Sequence, residues 1–135
     1  MGDIQWNDNL KLGNETVDAQ HRKLFELASE LVSCLDGKCD LPMLYKALDF
    51  LIDYTVQHFN EEEALQIMYK YPDYNNHKKL HEDFRIGVGE LIGNFRKSGS
   101  MAALSASIRL FIVDWLVHHI QIEDQKLGAY MRSKK

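Results

Sequence analysis

The chain has 135 residues, of which 45% are hydrophobic and 27% charged, with a formal net charge of −4. That is the profile of one soluble globular domain large enough for a real core. An acidic chain with no basic run excludes the electrostatic footprint of a nucleic-acid or anionic-membrane binder, and the clustered Lys134 and Lys135 read as a solvated end. No apolar stretch reaches the roughly 20 residues that a membrane-spanning helix needs. The start, Met1-Gly2-Asp3-Ile4-Gln5-Trp6, lacks the basic-then-apolar order of a signal peptide, and Trp6 breaks the myristoylation pattern. A cytoplasmic location is therefore expected. Cys34 and Cys39, spaced unlike a C-x-x-C motif, read as two incidental thiols in a reducing compartment.

Residues 1–17 show no helical periodicity. Gly13 and Asn14 read as loop, while Ile4, Trp6, Leu10, Leu12 and Val17 suit an extended arm packed on the rest. Asp18 is a plausible cap for a first helix carrying His21, Leu24, Phe25, Ala28, Leu31 and Val32 at helical spacing, ended by Gly37. Asp40-Leu41-Pro42 starts the second, with proline in the first turn. Its stripe is Leu44, Leu48, Leu51, Thr55, His58, Glu62 and Leu65, and Pro72 marks its end. Asp73 can cap the third helix, with inner residues His77, His81, Phe84, Val88, Leu91 and Phe95. Ser98-Gly99-Ser100 is a break. The fourth helix carries Leu104, Ile108, Phe111, Ile112, Trp115, Leu116, His119 and Ile122. With no period-two alternation and only short connections, the pattern predicts an all-α, up-down-up-down four-helix bundle: a single domain with an arm over 1–17 and a bundle over 18–130.

The inward stripes are where the chemistry lies. Five of six histidines fall on them: His21, His58, His77, His81 and His119. His58 and Glu62 are four apart, as are His77 and His81, so each pair shares a helix face. Any one of these is weak alone, since a lone inward histidine is more often a hydrogen-bonded core residue and Glu61-Glu62-Glu63 could be an acidic face. Together, on the apolar side of all four helices, they point to metal, because buried imidazoles and carboxylates need a partner. Imidazole and carboxylate suit iron, zinc, manganese or copper. The donors exceed the four of a closed zinc site, which favours two metals sharing carboxylates. On the fourth helix, spacing from His119 favours Glu123, four residues on, over Asp124, which lies roughly 140° round the helix. His118, about 100° from His119, should leave the site. The chain has no E-x-x-H motif of the carboxylate-rich di-iron bundles; its histidine-rich set favours reversible binding over attack on strong bonds.

These segments resemble the hemerythrins, in particular the single-domain bacterial ones. The likeness rests on Asp18-Ala19-Gln20-His21, His58-Phe59-Asn60-Glu61-Glu62, His77-Lys78-Lys79-Leu80-His81 and Trp115-Leu116-Val117-His118-His119-Ile120 with Asp124, and on Trp6 and Gly13 in the arm. The resemblance implies two non-haem iron ions joined by a bridging oxo or hydroxo group. His77, His81 and His119 would hold one iron, His21 and His58 the other, with Glu62 and Asp124 bridging. It selects Asp124 over Glu123, against the spacing argument. It also implies an apolar oxygen pocket of Phe59, Trp115, Leu116 and Ile120, residues that ordinary packing would equally place inside.

The function so implied is reversible dioxygen binding for storage, transport or delivery, with no enzymatic role beyond a weak peroxidase-like side activity. The alternatives are oxygen sensing through a separate partner, or a di-iron peroxidase or nitric oxide detoxification. Dioxygen is the expected partner, with small anions at the oxidised site, no nucleic acid, no membrane, and a monomeric state.

Overall fold

The computed structural model describes residues 6–134; Ile4, Lys135 and the N-terminal leader reading lie outside the described residues. Four long helices follow one another, with no strand among the described residues. Helix α1 spans Glu15–Ser33 and runs on through a wide, π-helical turn at Cys34–Lys38. Helix α2 spans Leu41–Met68, α3 spans Tyr74–Ser98, and α4 spans Met101–Ser133 with a second wide turn at Ile108–Val113. Consecutive helices pack against each other, and their short connections make the bundle antiparallel.

Local chemistry sets the boundaries. Asn14, not Asp18, caps α1: its side chain accepts from the Val17 N–H, three residues on. Asp18 lies inside the first turn, buried, and accepts from the Leu12 and Gly13 N–H groups at 2.7 and 3.3 Å. It ties down the arm rather than starting the helix. The arm itself is not wholly extended, since Asp8–Leu10 forms one 3₁₀ turn. It is fastened to α4 through Gln125, which donates to the Leu10 carbonyl at 2.7 Å, and Arg132, which donates to the Leu12 carbonyl at 2.6 Å.

Asp40 caps α2 with proline in the first turn, as its sequence predicts. Helix α2 stops before Pro72 is reached: Lys70 adopts the left-handed conformation (φ 54°), and the Tyr71 N–H reaches back to the Gln66 carbonyl. Asp73 occupies the start of α3, but its side chain caps no backbone N–H. Gly99 ends α3 at φ 65°, and the Ser100 hydroxyl accepts from Ala103 N–H at the start of α4.

Two expectations are corrected here. Cys34 and Cys39 are not separate thiols: they form a disulfide across the wide turn after α1, with Gly37 at φ 90° making the reversal between them. Such pairing belongs to oxidising surroundings, so the cysteines lend no support to a reducing compartment. Secondly, α4 is long and apolar enough to cross a membrane by length and composition. Part of its apolar surface forms a buried row inside the bundle, Leu104, Ile108, Ile112, Leu116, Ile120 and Leu127, which also carries His119 and Asp124 inward, while Met101, Leu110 and Ile122 are exposed.

The apolar interior has two parts. The larger runs from Leu31, Leu44 and Leu104 at one end to Phe59, Leu116 and Ile120. The smaller, Tyr71, Leu127 and Met131, closes the other end. A layer of buried histidines and carboxylates completes the interior, meeting the larger part at Phe59 and the smaller at Tyr71.

Candidate metal centre

Each helix delivers part of this layer. His21 comes from α1, His58 and Glu62 from α2, His77 and His81 from α3, and His119 and Asp124 from α4; all seven are buried. His118 is exposed on the outside of α4. Glu123 is half-buried and pairs with Lys126 at 3.3 Å. Of the two carboxylates, then, the structure turns Asp124 inward, against the spacing argument made from His119. The reason lies in the buried row of α4. Leu116, Ile120, Asp124 and Gly128 succeed one another at intervals of four, a stride that drifts only about 40° per step. His119 stands at the margin of that row, so counting from it selects the wrong acid.

The seven side chains form two groups that share their acids. In the first, His119 Nε2 lies 3.1 Å from both His77 Nε2 and His81 Nε2. Glu62 Oε1 is 3.0 Å from His77 and 3.4 Å from His81, and Asp124 Oδ1 is 3.0 Å from His77 and 3.2 Å from His119. In the second, His21 Nε2 and His58 Nε2 are 3.0 Å apart. Here Glu62 Oε2 is 3.2 Å from His58 and 3.6 Å from His21, and Asp124 Oδ2 is 3.1 Å from His21. Glu62 therefore offers each of its oxygens to two imidazoles, and Asp124 offers one oxygen to two imidazoles and the other to one.

Protein atoms alone do not satisfy this arrangement. All four carboxylate oxygens are buried without a hydrogen-bond partner. His58 and His81 turn Nδ1 to acceptors, Gln20 Oε1 at 2.7 Å and Glu63 Oε2 at 2.8 Å, so in the neutral ring Nδ1 holds the proton and Nε2 is a bare lone pair. Lone pairs then face lone pairs, and the cluster needs positive charge. The inward nitrogens, 3.0 to 3.1 Å apart within each group, are close enough for each group to hold one metal ion. The donor set fits two metal ions bridged by carboxylates.

The ionisation of the metal-free cluster states the same demand. Burial alone would lower the His21 and His77 imidazoles, but Asp124 and Glu62 more than offset it, raising them to about 9 and about 10. Burial likewise lowers His81 and is outweighed by Glu62 and Glu63, leaving it raised. Burial would raise Glu62, yet the surrounding histidines, His58 foremost, hold it well below the usual carboxylate range. Asp124 is also held below that range: His119 and His21 overcome both burial and the nearby Glu62 charge.

Two of the four expected pocket residues, Phe59 and Trp115, pack on this cluster. Phe59 stacks on His81 with centroids 3.8 Å apart and planes at 4°, and stands 6.3 Å from His58. Trp115 stacks on His119 at 4.6 Å and 8°. Leu116 and Ile120 are fully buried. The aromatic beside His21 is Trp6, at 6.4 Å. Sequence reasoning missed Gln20, Glu63 and the buried Gln66. Gln66 was findable, lying one turn beyond Glu62 on the inward face; Gln20 and Glu63 lie beside ligand-type residues, off the inward stripes.

An all-α bundle that buries such a set of histidines and carboxylates is a metal-binding four-helix bundle. The family described as "Hemerythrin HHE cation binding domain" matches residues 12–131. The chain is 30% identical to a bacteriohemerythrin of Stenotrophomonas maltophilia, over 98% of this chain and 84% of that one. It is 29% identical to a bacteriohemerythrin of Pseudomonas aeruginosa (92% and 78%) and 31% identical to a myohemerythrin of Sipunculus nudus (90% and 88%). The chain belongs to the hemerythrin family. The family's cofactor is a non-haem di-iron centre that binds dioxygen, and the histidine–carboxylate cluster described above suits it.

Proposed function

We propose that the chain binds dioxygen reversibly at two irons, for oxygen storage, transport or delivery. The observation that carries this reading is the unequal division of donors around two shared acids. His77, His81, His119, Glu62 and Asp124 would hold one iron; His21, His58 and the same two acids would hold the other. With one imidazole fewer, the second position has room for an exogenous ligand. When bound, the iron pair supplies the electrons that reversible dioxygen binding requires.

The protein's own part is to hold and to exclude. Glu62 and Asp124, which belong to both donor groups, would be shared between the two ions. Gln20 and Glu63 hold the rings of His58 and His81 with Nε2 directed inward. Phe59, Trp115, Leu116 and Ile120 supply the apolar wall that keeps water and anions from the centre. The donor set, rich in neutral imidazole, supports reversible binding over peroxidase chemistry, because fewer anionic ligands stabilise high oxidation states less.

The test is to load the reduced protein with ferrous iron, admit oxygen, remove it, and record the visible spectrum through repeated cycles. A band that appears and disappears with full recovery supports carriage. Irreversible oxidation with consumption of peroxide would sink it in favour of an enzyme, and fewer than two irons per chain would sink the two-iron centre.

A further inference from the structure

Two of the buried imidazoles pass their outer N–H to a second side chain, and the two partners differ in charge. His81 Nδ1 lies 2.8 Å from Glu63 Oε2. Glu63 is itself braced by Arg85, 3.6 Å away, whose guanidinium also lies over the Phe59 ring and donates to Asn60. His58 Nδ1 lies 2.7 Å from Gln20 Oε1. The amide of Gln20 cannot turn over, because its NH2 donates to Glu61 Oε2 and a carboxylate only accepts. Glu61 thus sets Gln20, and Gln20 sets His58. A narrow cleft lined by Gln20, Tyr54, Gln57, His58 and Glu61 opens at this point.

An anionic acceptor draws the Nδ1 proton and raises the basicity of the opposite nitrogen, whereas a neutral amide chiefly orients the ring. We propose that Gln20 and Glu63 are positioning residues of unequal strength, which make the His21–His58 position the exchangeable one and the His77–His81–His119 position the firmly held one. The inference rests on the two-iron reading and adds to it which position yields its ion first. The cleft beside His58, about 20 Å³, has room for one water-sized species on that side.

The test uses the full chain loaded with ferrous iron under anaerobic conditions and challenged with a chelator. Two release phases of equal size are expected. The paired substitution Gln20→Glu with Glu61→Gln keeps the net charge and a bond between positions 20 and 61, now donated from position 61, but puts the anion against His58. It should slow the fast phase by about 10-fold, in keeping with the usual effect of such outer partners, and leave the slow phase alone. Glu63→Gln should hasten only the slow phase. Each variant should also shift one histidine N–H resonance in the proton NMR spectrum, that of the imidazole it touches. Single-phase release, or either substitution acting on the other phase, would overturn the inference. Iron content decides what has failed: two irons per chain with no such split removes only this asymmetry, whereas fewer than two removes the reading beneath it.

Discussion

Trp115 lies flat on His119, one helical turn away, with ring centroids 4.6 Å apart and planes within 8°. The stack fixes the imidazole plane so that Nε2 meets His77 and His81 at 3.1 Å. His118 next to it is exposed. His119→Ala should abolish the visible band of the iron-loaded protein and reduce its iron content, while His118→Ala should leave both near wild type. The opposite pattern in metal analysis and absorbance would show that the ligand is misassigned.

The two neighbouring acids of α4 should separate as sharply. Asp124 is buried with both oxygens turned to imidazoles, and Glu123 pairs with Lys126 at the surface. Asp124→Ala should lose at least one iron per chain. Glu123→Ala should retain two and change stability by no more than about 1 kcal/mol, as for a partly exposed ion pair. Iron content and urea midpoints check both.

Protons and metal compete for the same lone pairs. In the metal-free protein His21 and His77 are raised from 6.5 to about 9 and about 10, so both hold protons at pH 7. Loading at that pH should therefore release roughly two protons per chain, measurable from the dependence of binding heat on buffer ionisation. The sign for stability follows. The histidine contribution is complete below the unfolded value of 6.5 and is lost as pH rises through about 9 to 10. The Glu62 and Asp124 contributions are present above the ordinary carboxylate range and are lost on acidification. Metal-free protein should be most resistant to urea near pH 5–7, within about a pH unit, and weaken by pH 10. A flat profile between pH 6 and 10 would contradict this.

Gly128 lets the arm lie directly on α4. A Cβ there would stand 2.9 Å from Leu12 Cδ2 and 3.1 Å from the Leu12 Cα, and backbone cannot swing aside as a side-chain tip can. Gly128→Ala should cost about 1–3 kcal/mol as an overpacked contact. It should also speed tryptic cleavage after Lys11, because the arm must lift.

The Cys34–Cys39 bridge closes a short loop, so in the chain-entropy account it contributes about 2 kcal/mol. Reduction, or Cys34→Ser, should lower the thermal midpoint by several degrees, in line with that figure. Asp36 within the loop pairs with Arg109 of α4, so the loss should be largest at this end of the bundle and leave iron content unchanged. Iron loss on reduction would show the bridge to be coupled to the centre.

The helices were legible because their apolar positions recur at helical spacing and their ends carry recognisable caps, as at Asp40 and Ser100. The convergence of His21, His58, His77, His81 and His119 was legible for the same reason. What escaped has a physical cause in each case. The α1 cap was misplaced because Asn14 and Asp18 are equally good acceptors in sequence, and only the folded arm shows that Asp18 is occupied by Leu12 and Gly13. The disulfide depends on Gly37 reversing the chain, which spacing does not reveal. Gln20 and Glu63 act on ligands of other helices, and periodicity within one helix carries no information about such pairs.

The wide turn at Ile108–Val113 sits just upstream of the segment that bears Trp115, His119 and Asp124. A helix that accommodates an extra residue in one turn acts as a phase shifter: everything downstream is rotated relative to everything upstream. Drawing that turn into a plain α-helix without changing its length would rotate the lower half of α4 by about 100°, whereas deleting one residue together with the bulge would leave that half facing as it does. In the first case His119 and Asp124 would leave the interior together, although no donor atom had been altered. The angular setting of half the centre is thus encoded by the backbone conformation of a stretch that lies upstream of its donors and supplies none of them, and changes that straighten this turn are expected to be more damaging than ordinary substitutions within it.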